Sequence, residues 1–250
     1  MDDEINYWKK IWNNRVEEDI SPVEFKRGCV SRSVIDYNEK RFMELFNPQP
    51  TDIILDAGCG NGRTILMYHD FCKKWYGVDL SEEMIKMLKG KIKREDITNV
   101  DLQVANVLDI PFEDNTFDKT ICISVLQMLD DNHFSSALKE MSRVTKDGGV
   151  IILFLKNSFS IYALIKKLKD ELYKKTGDHF RSYSWYKKQF RLLGLELVDE
   201  YSFGLWPAYI PNITIKLIAE FERMLRSRTD IFTRFGTNYT VKLKNVKTTN

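Results

Sequence analysis

The chain has 250 residues, 43% hydrophobic and 30% charged, which is enough apolar material for one sizeable core. Its 38 basic and 36 acidic side chains leave a formal charge of +2, excluding a whole-surface field for polyanions but not a local basic patch. There is no eighteen-residue apolar run, so no transmembrane helix is expected. The acidic opening Met1-Asp2-Asp3-Glu4 lacks a secretory pattern, so a cytoplasmic location is expected.

Taken in chain order, residues 1–46 read as a helical cap, with Tyr7, Trp8, Ile11 and Trp12 clustered early. Residues 47–157 alternate short apolar runs with amphipathic stretches. The runs are Ile53 to Leu55, Trp75 to Val78, Leu102 to Ala105, Lys119 to Val125 and Val150 to Leu155. Such runs, bounded by turn residues and separated by helical patterns, predict strands of a parallel sheet and repeated βα units. Ser81 is placed to cap a helix, with Glu82 and Glu83 at its positive end and Ile85, Leu88 and Ile92 on one face. In residues 158–250, Leu195 to Phe203 and Thr237 to Leu243 alternate like strands and predict an antiparallel pair closing the sheet. Between them Ile213, Leu217, Phe221 and Leu225 mark an amphipathic helix. Residues 156–191 are rich in lysine and arginine, which reads either as a solvated helical face or as a surface for a phosphate-bearing acceptor. The whole of 1–250 reads as one domain.

Cysteines 29, 59, 72 and 122 form no C-x-x-C pair and have no histidine at ligand spacing. They read as reduced, packed side chains, and no metal site is expected.

The chemical question is what Gly58, Gly60 and Gly62 hold. Glycines where a strand turns into a helix let the backbone approach a ligand that a Cβ would exclude. The third glycine comes one residue too early for the G-x-G-x-x-G dinucleotide fingerprint, and no Gly-Lys-Ser/Thr follows as a P-loop requires. Asp79, at the end of the second run, is placed to accept hydrogen bonds from a ribose diol. Asp56, at the end of the first, would repel a diphosphate and favour a ligand with a positive centre.

These residues resemble the class I S-adenosylmethionine-dependent methyltransferases, of the small-molecule type with a methyltransferase-11-like domain. The resemblance rests on Ile54-Leu55-Asp56-Ala57-Gly58-Cys59-Gly60-Asn61-Gly62-Arg63 and Gly77-Val78-Asp79-Leu80-Ser81. It continues through Ala105 to Phe112, Phe117-Asp118 and Glu140 to Gly149. It implies a Rossmann-like, doubly wound α/β fold with a seven-stranded mixed sheet in the order 3-2-1-4-5-7-6, an N-terminal helical cap and helical insertions. It also implies S-adenosyl-L-methionine as cofactor. Gly58, Gly60 and Gly62 would then line its methionine and ribose part, with Ala57 and Cys59 also at the cofactor, Asp56 would sit near its amino group, and Asp79 would bind the ribose diol. Leu80 and Met84 would lie against the adenine, Asn106 and Val107 at its edge, and Ser124, Val125 and Leu126 would face the methionine moiety.

Two positions depart from the family. Asn106 stands where members commonly have Asp, and its amide oxygen can still accept from the adenine amine. Leu126-Gln127-Met128-Leu129 stands where many have His-His-Leu, so no general base is supplied there. An activated sulfonium methyl needs chiefly in-line alignment with the acceptor atom, and a base only if the acceptor must lose its proton early. The residues considered for that role, or for acceptor contact, are His179, Tyr37 and Gln127. Tyr7, Trp12 and Tyr37 are read as parts of a lid, and Trp206 and Tyr209 as walls of an acceptor pocket.

The expected reaction is in-line transfer of a methyl group to oxygen or nitrogen of a small-molecule, sugar or lipid-linked acceptor. The Asn/Asp-Pro-Pro-aromatic signature of base-amine methylation is missing, and Cys122 lacks a following proline, so nucleic acid is not the expected partner. Two alternatives stay open: an RNA methyltransferase using the basic stretch, and a catalytically silent cofactor-binding subunit.

Overall fold

A computed structural model of the chain describes residues 3–16, 32–160, 163–164, 179–203 and 238–247. Seven strands, β1 (Ile53–Ala57), β2 (Lys74–Asp79), β3 (Val100–Val104), β4 (Phe117–Ile123), β5 (Thr145–Lys156), β6 (Leu195–Phe203) and β7 (Asn238–Asn245), form one sheet. Their order is β3-β2-β1-β4-β5-β7-β6. β7 runs antiparallel to both neighbours, β5 and β6, and the other pairings are parallel. The expected sheet, its order and its antiparallel closing pair are therefore all present.

Six helices flank the sheet among the described residues: α1 (Asp3–Val16), α2 (Arg32–Phe46), α3 (Arg63–Tyr68), α4 (Glu82–Arg94), α5 (Asp131–Val144) and α6 (Tyr183–Leu192). The expected helix at 213–225, Trp206, Tyr209 and the lysines between 166 and 175 lie outside the described residues, as does the side chain of Tyr37.

Successive strand residues point to opposite faces, so the central strands feed two cores at once. Leu55, Ala57, Cys122, Ile151 and Leu153 face the layer of α5 and α6, where Phe134, Leu138, Met141, Tyr186 and Phe190 close over them. Ile54, Trp75, Ile121 and Ile152 face the other layer, under Leu45, Phe46, Ile65, Tyr68 and Leu88 of α2, α3 and α4. Burial on both sides explains why these runs are continuously apolar rather than alternating.

β5 begins five residues before the predicted run. Thr145 pairs with Phe117, and the register then slips so that Val150 pairs with Lys119. Gly148 lies inside this bulge with φ +72°, a conformation that glycine adopts without strain.

At the amino end of the sheet, Lys119 and Asp52 form a buried ion pair. Lys119 Nζ also donates to the Asn47 carbonyl at 2.9 Å, and Asp52 accepts from the Gln49 amide at 2.7 Å. These added hydrogen bonds satisfy the charges that burial strips of water.

The helix ends follow their sequence signals. Ser81 caps α4 by accepting from Met84 N–H at 3.2 Å, Asp130 caps α5 through His133 N–H at 2.8 Å, and Ser182 caps α6 through Trp185 N–H at 3.2 Å. The strand order reverses between β1 and β4, so the crevice for a ligand opens at the carboxyl ends of the central strands.

Candidate active site

The loop after β1 carries three glycines in the left-handed region, Gly58 (φ +86°), Gly60 (φ +50°) and Gly62 (φ +77°), but they do different things. A Cβ on Gly58 would stand 2.2 Å from Val125 Cγ2, and one on Gly62 would stand 2.2 Å from Leu88 Cδ1. Protein packing alone therefore requires glycine at both positions. Around Gly60 a Cβ would meet nothing within 4 Å. Gly60 is the one glycine of the three that leaves space beside a bare backbone, and its N–H donates to Asp79 Oδ2 at 2.8 Å.

Asp79 ends β2, half-buried. Its second oxygen, Oδ1, accepts from Ser81 N–H at 2.9 Å. Two backbone donors thus fix the carboxylate's orientation while each oxygen keeps lone-pair capacity for a further donor. Burial raises its pKa despite the opposing hydrogen bonds from Ser81, Gly60 and Leu80.

Asp56, at the end of β1, is only 2% exposed. Burial first, and the Asp79 charge second, push its carboxyl up to about 8. The same surroundings push the thiols of Cys59 and Cys122 up, so neither is a ready nucleophile. Cys59, Cys72 and Cys122 are free and buried, as their spacing implied, while Cys29 lies outside the described residues. Among the described residues no cluster of His, Cys, Asp and Glu is suited to a metal ion.

The other proposed cofactor-side residues flank this loop. Met84 lies on the first turn of α4, buried, and Leu80 is half-buried before it. Val107 is buried in the core beside Asn106. One lone pair of Asn106 Oδ1 is already taken by Leu108 N–H at 3.0 Å, so the amide caps its own turn and has one acceptor site left.

Beyond β4 the chain turns sharply. Ser124 adopts φ +62°, a left-handed conformation that is uncommon for a non-glycine residue and marks a strained corner beside the crevice. Val125 packs on Gly58, and Leu126–Met128 then form a single 3₁₀ turn. Gln127 is 5% exposed, and its Oε1 is buried with no hydrogen-bond partner among the described residues.

His179 joins this corner through its backbone, donating N–H to the Gln127 carbonyl at 2.6 Å, with its side chain exposed. His133 and His179 both lie close enough to Asp130 to help hold that carboxyl below its usual range, after the backbone bond from His133. Arg181, read from the sequence as part of a basic surface, is instead 6% exposed and internal. Its charge is satisfied by Asp131 at 2.8 Å and by two carbonyls of the turn after β4.

Sequence reasoning expected Tyr7, Trp12 and Tyr37 in a lid. α1 does lie across the crevice, with Trp12 on its partly buried face, and Trp8, Lys9 and Asn13 bond to the residues beneath it. Trp8 Nε1 donates to the Met128 carbonyl at 3.0 Å, Ser81 Oγ bonds Asn13 Oδ1 at 2.5 Å, and Lys9 pairs with Glu82 at 2.8 Å. Tyr7 is 51% exposed, with its ring edge-to-face against Trp8. The signal was present: Ile5, Trp8, Lys9, Trp12 and Asn13 follow the i, i+3, i+4, i+7, i+8 spacing of one helical face, and all are at least partly buried.

These parts select a ligand by chemistry. A carboxylate with two fixed oxygens suits a vicinal diol, a buried carboxyl with no cation paired to it among the described residues suits a positive group, and a lid excludes water.

Residues 55–153 match the family model described as a methyltransferase domain. The chain spans about half the length of the curated relatives it matches above 30% identity. One is a demethylmenaquinone methyltransferase of Bacillus mycoides, 34% identical over 131 residues, covering 49% of this chain and 54% of that protein. An uncharacterized protein of Methanocaldococcus jannaschii is 27% identical over 198 residues, 78% of this chain and 79% of its own. Among solved structures, geranyl diphosphate C-methyltransferase from Streptomyces coelicolor A3(2), in complex with S-adenosyl-L-homocysteine, superposes with a TM-score of 0.64 at 17% identity, over 98% of this chain and 99% of the other. That likeness establishes a shared fold.

Proposed function

Because residues 55–153 match a methyltransferase domain model, we propose that the chain is a class I S-adenosylmethionine-dependent methyltransferase that binds S-adenosyl-L-methionine at the β1–β2 crevice and transfers its methyl group to a small acceptor. The observation that carries this reading is the Asp79 carboxylate, anchored by Gly60 and Ser81, beside the open space at Gly60 and the buried Asp56.

The residues fit the cofactor's parts. Asp79 would take the ribose hydroxyls, Leu80, Met84, Val107 and the remaining Asn106 lone pair would take the adenine, and Asp56 would balance the positive methionine end. Cys59 and Ala57 would line the floor of the loop, and Ser124, Val125 and Leu126 would wall the methionine side. When bound, the cofactor supplies a methyl group already activated by its sulfonium charge. The protein's own contribution is then alignment and exclusion of water, with α1 as the cover and the strained Ser124 corner as the wall.

The acceptor reading is oxygen or nitrogen of a small-molecule, sugar or lipid-linked compound. The buried Gln127 Oε1, without a partner among the described residues, supports it, because an O–H or N–H on the acceptor would satisfy that atom. Gln127 has no useful basicity, so it would orient such a group rather than deprotonate it. His179 has an exposed side chain near Asp130 and is the candidate base if the acceptor needs one.

The test is calorimetry with S-adenosyl-L-methionine and S-adenosyl-L-homocysteine, followed by incubation with labelled cofactor and fractionated extract. Binding of both, with label entering a small-molecule or lipid fraction, is the expected result. Label entering RNA, or binding without transfer to any fraction, would replace it with one of the two alternatives.

A further inference from the structure

The turn after β4 has an unusual property. Each of its four consecutive carbonyls, from Leu126 to Leu129, accepts a hydrogen bond from a distant segment. Leu126 and Leu129 are held by the Arg181 guanidinium at 3.4 and 2.5 Å, Gln127 by His179 N–H at 2.6 Å and Met128 by the Trp8 indole at 3.0 Å. Three of these bonds come from the segment entering α6 and one from α1. The turn's own bonds, Met128 N–H to Val125 at 2.9 Å and Leu129 N–H to Leu126 at 3.4 Å, are few. A short 3₁₀ turn next to a strained residue does not hold one geometry by itself, so its shape is set from outside.

Arg181 is built for that task. Its guanidinium lies beside the edge-to-face pair Phe134 (5.0 Å) and Trp185 (4.7 Å) and is paired with Asp131, contacts that fix the orientation of its planar fork. The neighbouring Asn157–Arg181 bridge and the Ser158 N–H bond to the Arg181 carbonyl at 3.1 Å tie the same residue to the end of β5.

We infer that Arg181 is a positioning residue: with Trp8 it sets the 124–129 turn against the methionine end of the methyl donor, so that the acceptor-side segment and α1 control how that end is held. This rests on the methyl-donor reading above, in which Ser124, Val125 and Leu126 wall the methionine side. It assigns the Arg181 charge to the internal geometry of the site rather than to recognition of a phosphate-bearing acceptor. It also makes the turn the contact through which an acceptor and the methyl donor influence each other's binding.

Two probes separate this role from plain structural support. Adenosine carries the ribose and adenine but not the amino-acid part, whereas S-adenosyl-L-homocysteine carries all three. In the full chain, Arg181→Met is expected to weaken S-adenosyl-L-homocysteine by about tenfold, within the range of residue couplings of this kind, and to leave adenosine within about twofold. Arg181→Lys and Trp8→Phe, which keep a charge or a ring in place, are expected to show the same split in smaller degree, and they carry the comparison if Arg181→Met does not fold. Equal loss for both ligands, or no loss for either, overturns the inference. An unsubstituted chain that binds neither ligand overturns the methyl-donor reading and this inference with it, whereas a split in the opposite sense overturns the inference alone.

Discussion

At the scale of single residues, the site turns on two carboxyls with different surroundings. Asp79 has fixed oxygens and ligand-binding capacity, and a charge-assisted hydrogen bond of this kind contributes about 1.5–3 kcal/mol. Asp79→Ala is therefore expected to weaken S-adenosyl-L-homocysteine by about 10- to 100-fold in calorimetry. Asp56 behaves differently. Its ordinary value is 3.8 and burial lifts it to about 8, so between these limits the folded chain holds a proton that the unfolded chain has lost. The stability this group contributes is complete below the lower value and is lost as the pH climbs through the upper one. A cation arriving beside Asp56 favours its charged form and expels that proton. Affinity for S-adenosyl-L-methionine is accordingly expected to gain an Asp56-dependent component as pH rises toward about 8 and to level off above it, a component that Asp56→Asn removes. Identical pH profiles for the two proteins would refute it. Both aspartates were visible in the sequence because a polar residue ending an apolar run is a local signal.

At the scale of elements, the glycine loop shows how one motif divides its work. Gly62→Ala puts a methyl into Leu88 at a positive φ, and is expected to lower stability by about 2 kcal/mol or more. Gly60→Ala carries only the backbone cost, about 1–2 kcal/mol, because nothing stands within 4 Å. It should fold yet bind the methyl donor poorly. Thermal unfolding paired with calorimetry reads both. The strands β1 and β4 that frame this loop are pinned at their other end by Lys119 and Asp52. Lys119→Met strands a buried carboxylate, and a loss of about 3–5 kcal/mol is expected by denaturant unfolding. The glycine spacing was legible, but which glycine serves packing and which faces open space was not. That depends on Val125 and Leu88, which lie far from the loop in the chain. α1 makes the same point. Its buried face follows helical spacing, yet the spacing alone does not tell which of its aromatic residues meets the turn after β4.

At the scale of the whole molecule, the two cores share one sheet, so a ligand bridging the ends of β1, β2 and β4 stabilises the unit that holds both. At a hundredfold excess over its dissociation constant, S-adenosyl-L-homocysteine should add about 2.7 kcal/mol. For a domain of this size that raises the melting temperature by roughly 5–10 °C. An unchanged melting curve at saturating ligand would refute it.

The sequence by itself determined the strand runs, the helix caps, the glycine loop and its two acidic partners. Each of these is written in neighbouring residues, through side-chain periodicity, backbone freedom and the short reach of a capping side chain. The tertiary structure alone decided that Arg181 is internal, that Trp8 rather than Tyr7 bonds the turn after β4, and that Gln127 carries a buried oxygen with no partner among the described residues. These depend on segments more than fifty residues apart meeting at one sheet edge. An arginine in a basic stretch looks the same in sequence whether it faces water or the carbonyls of a distant turn.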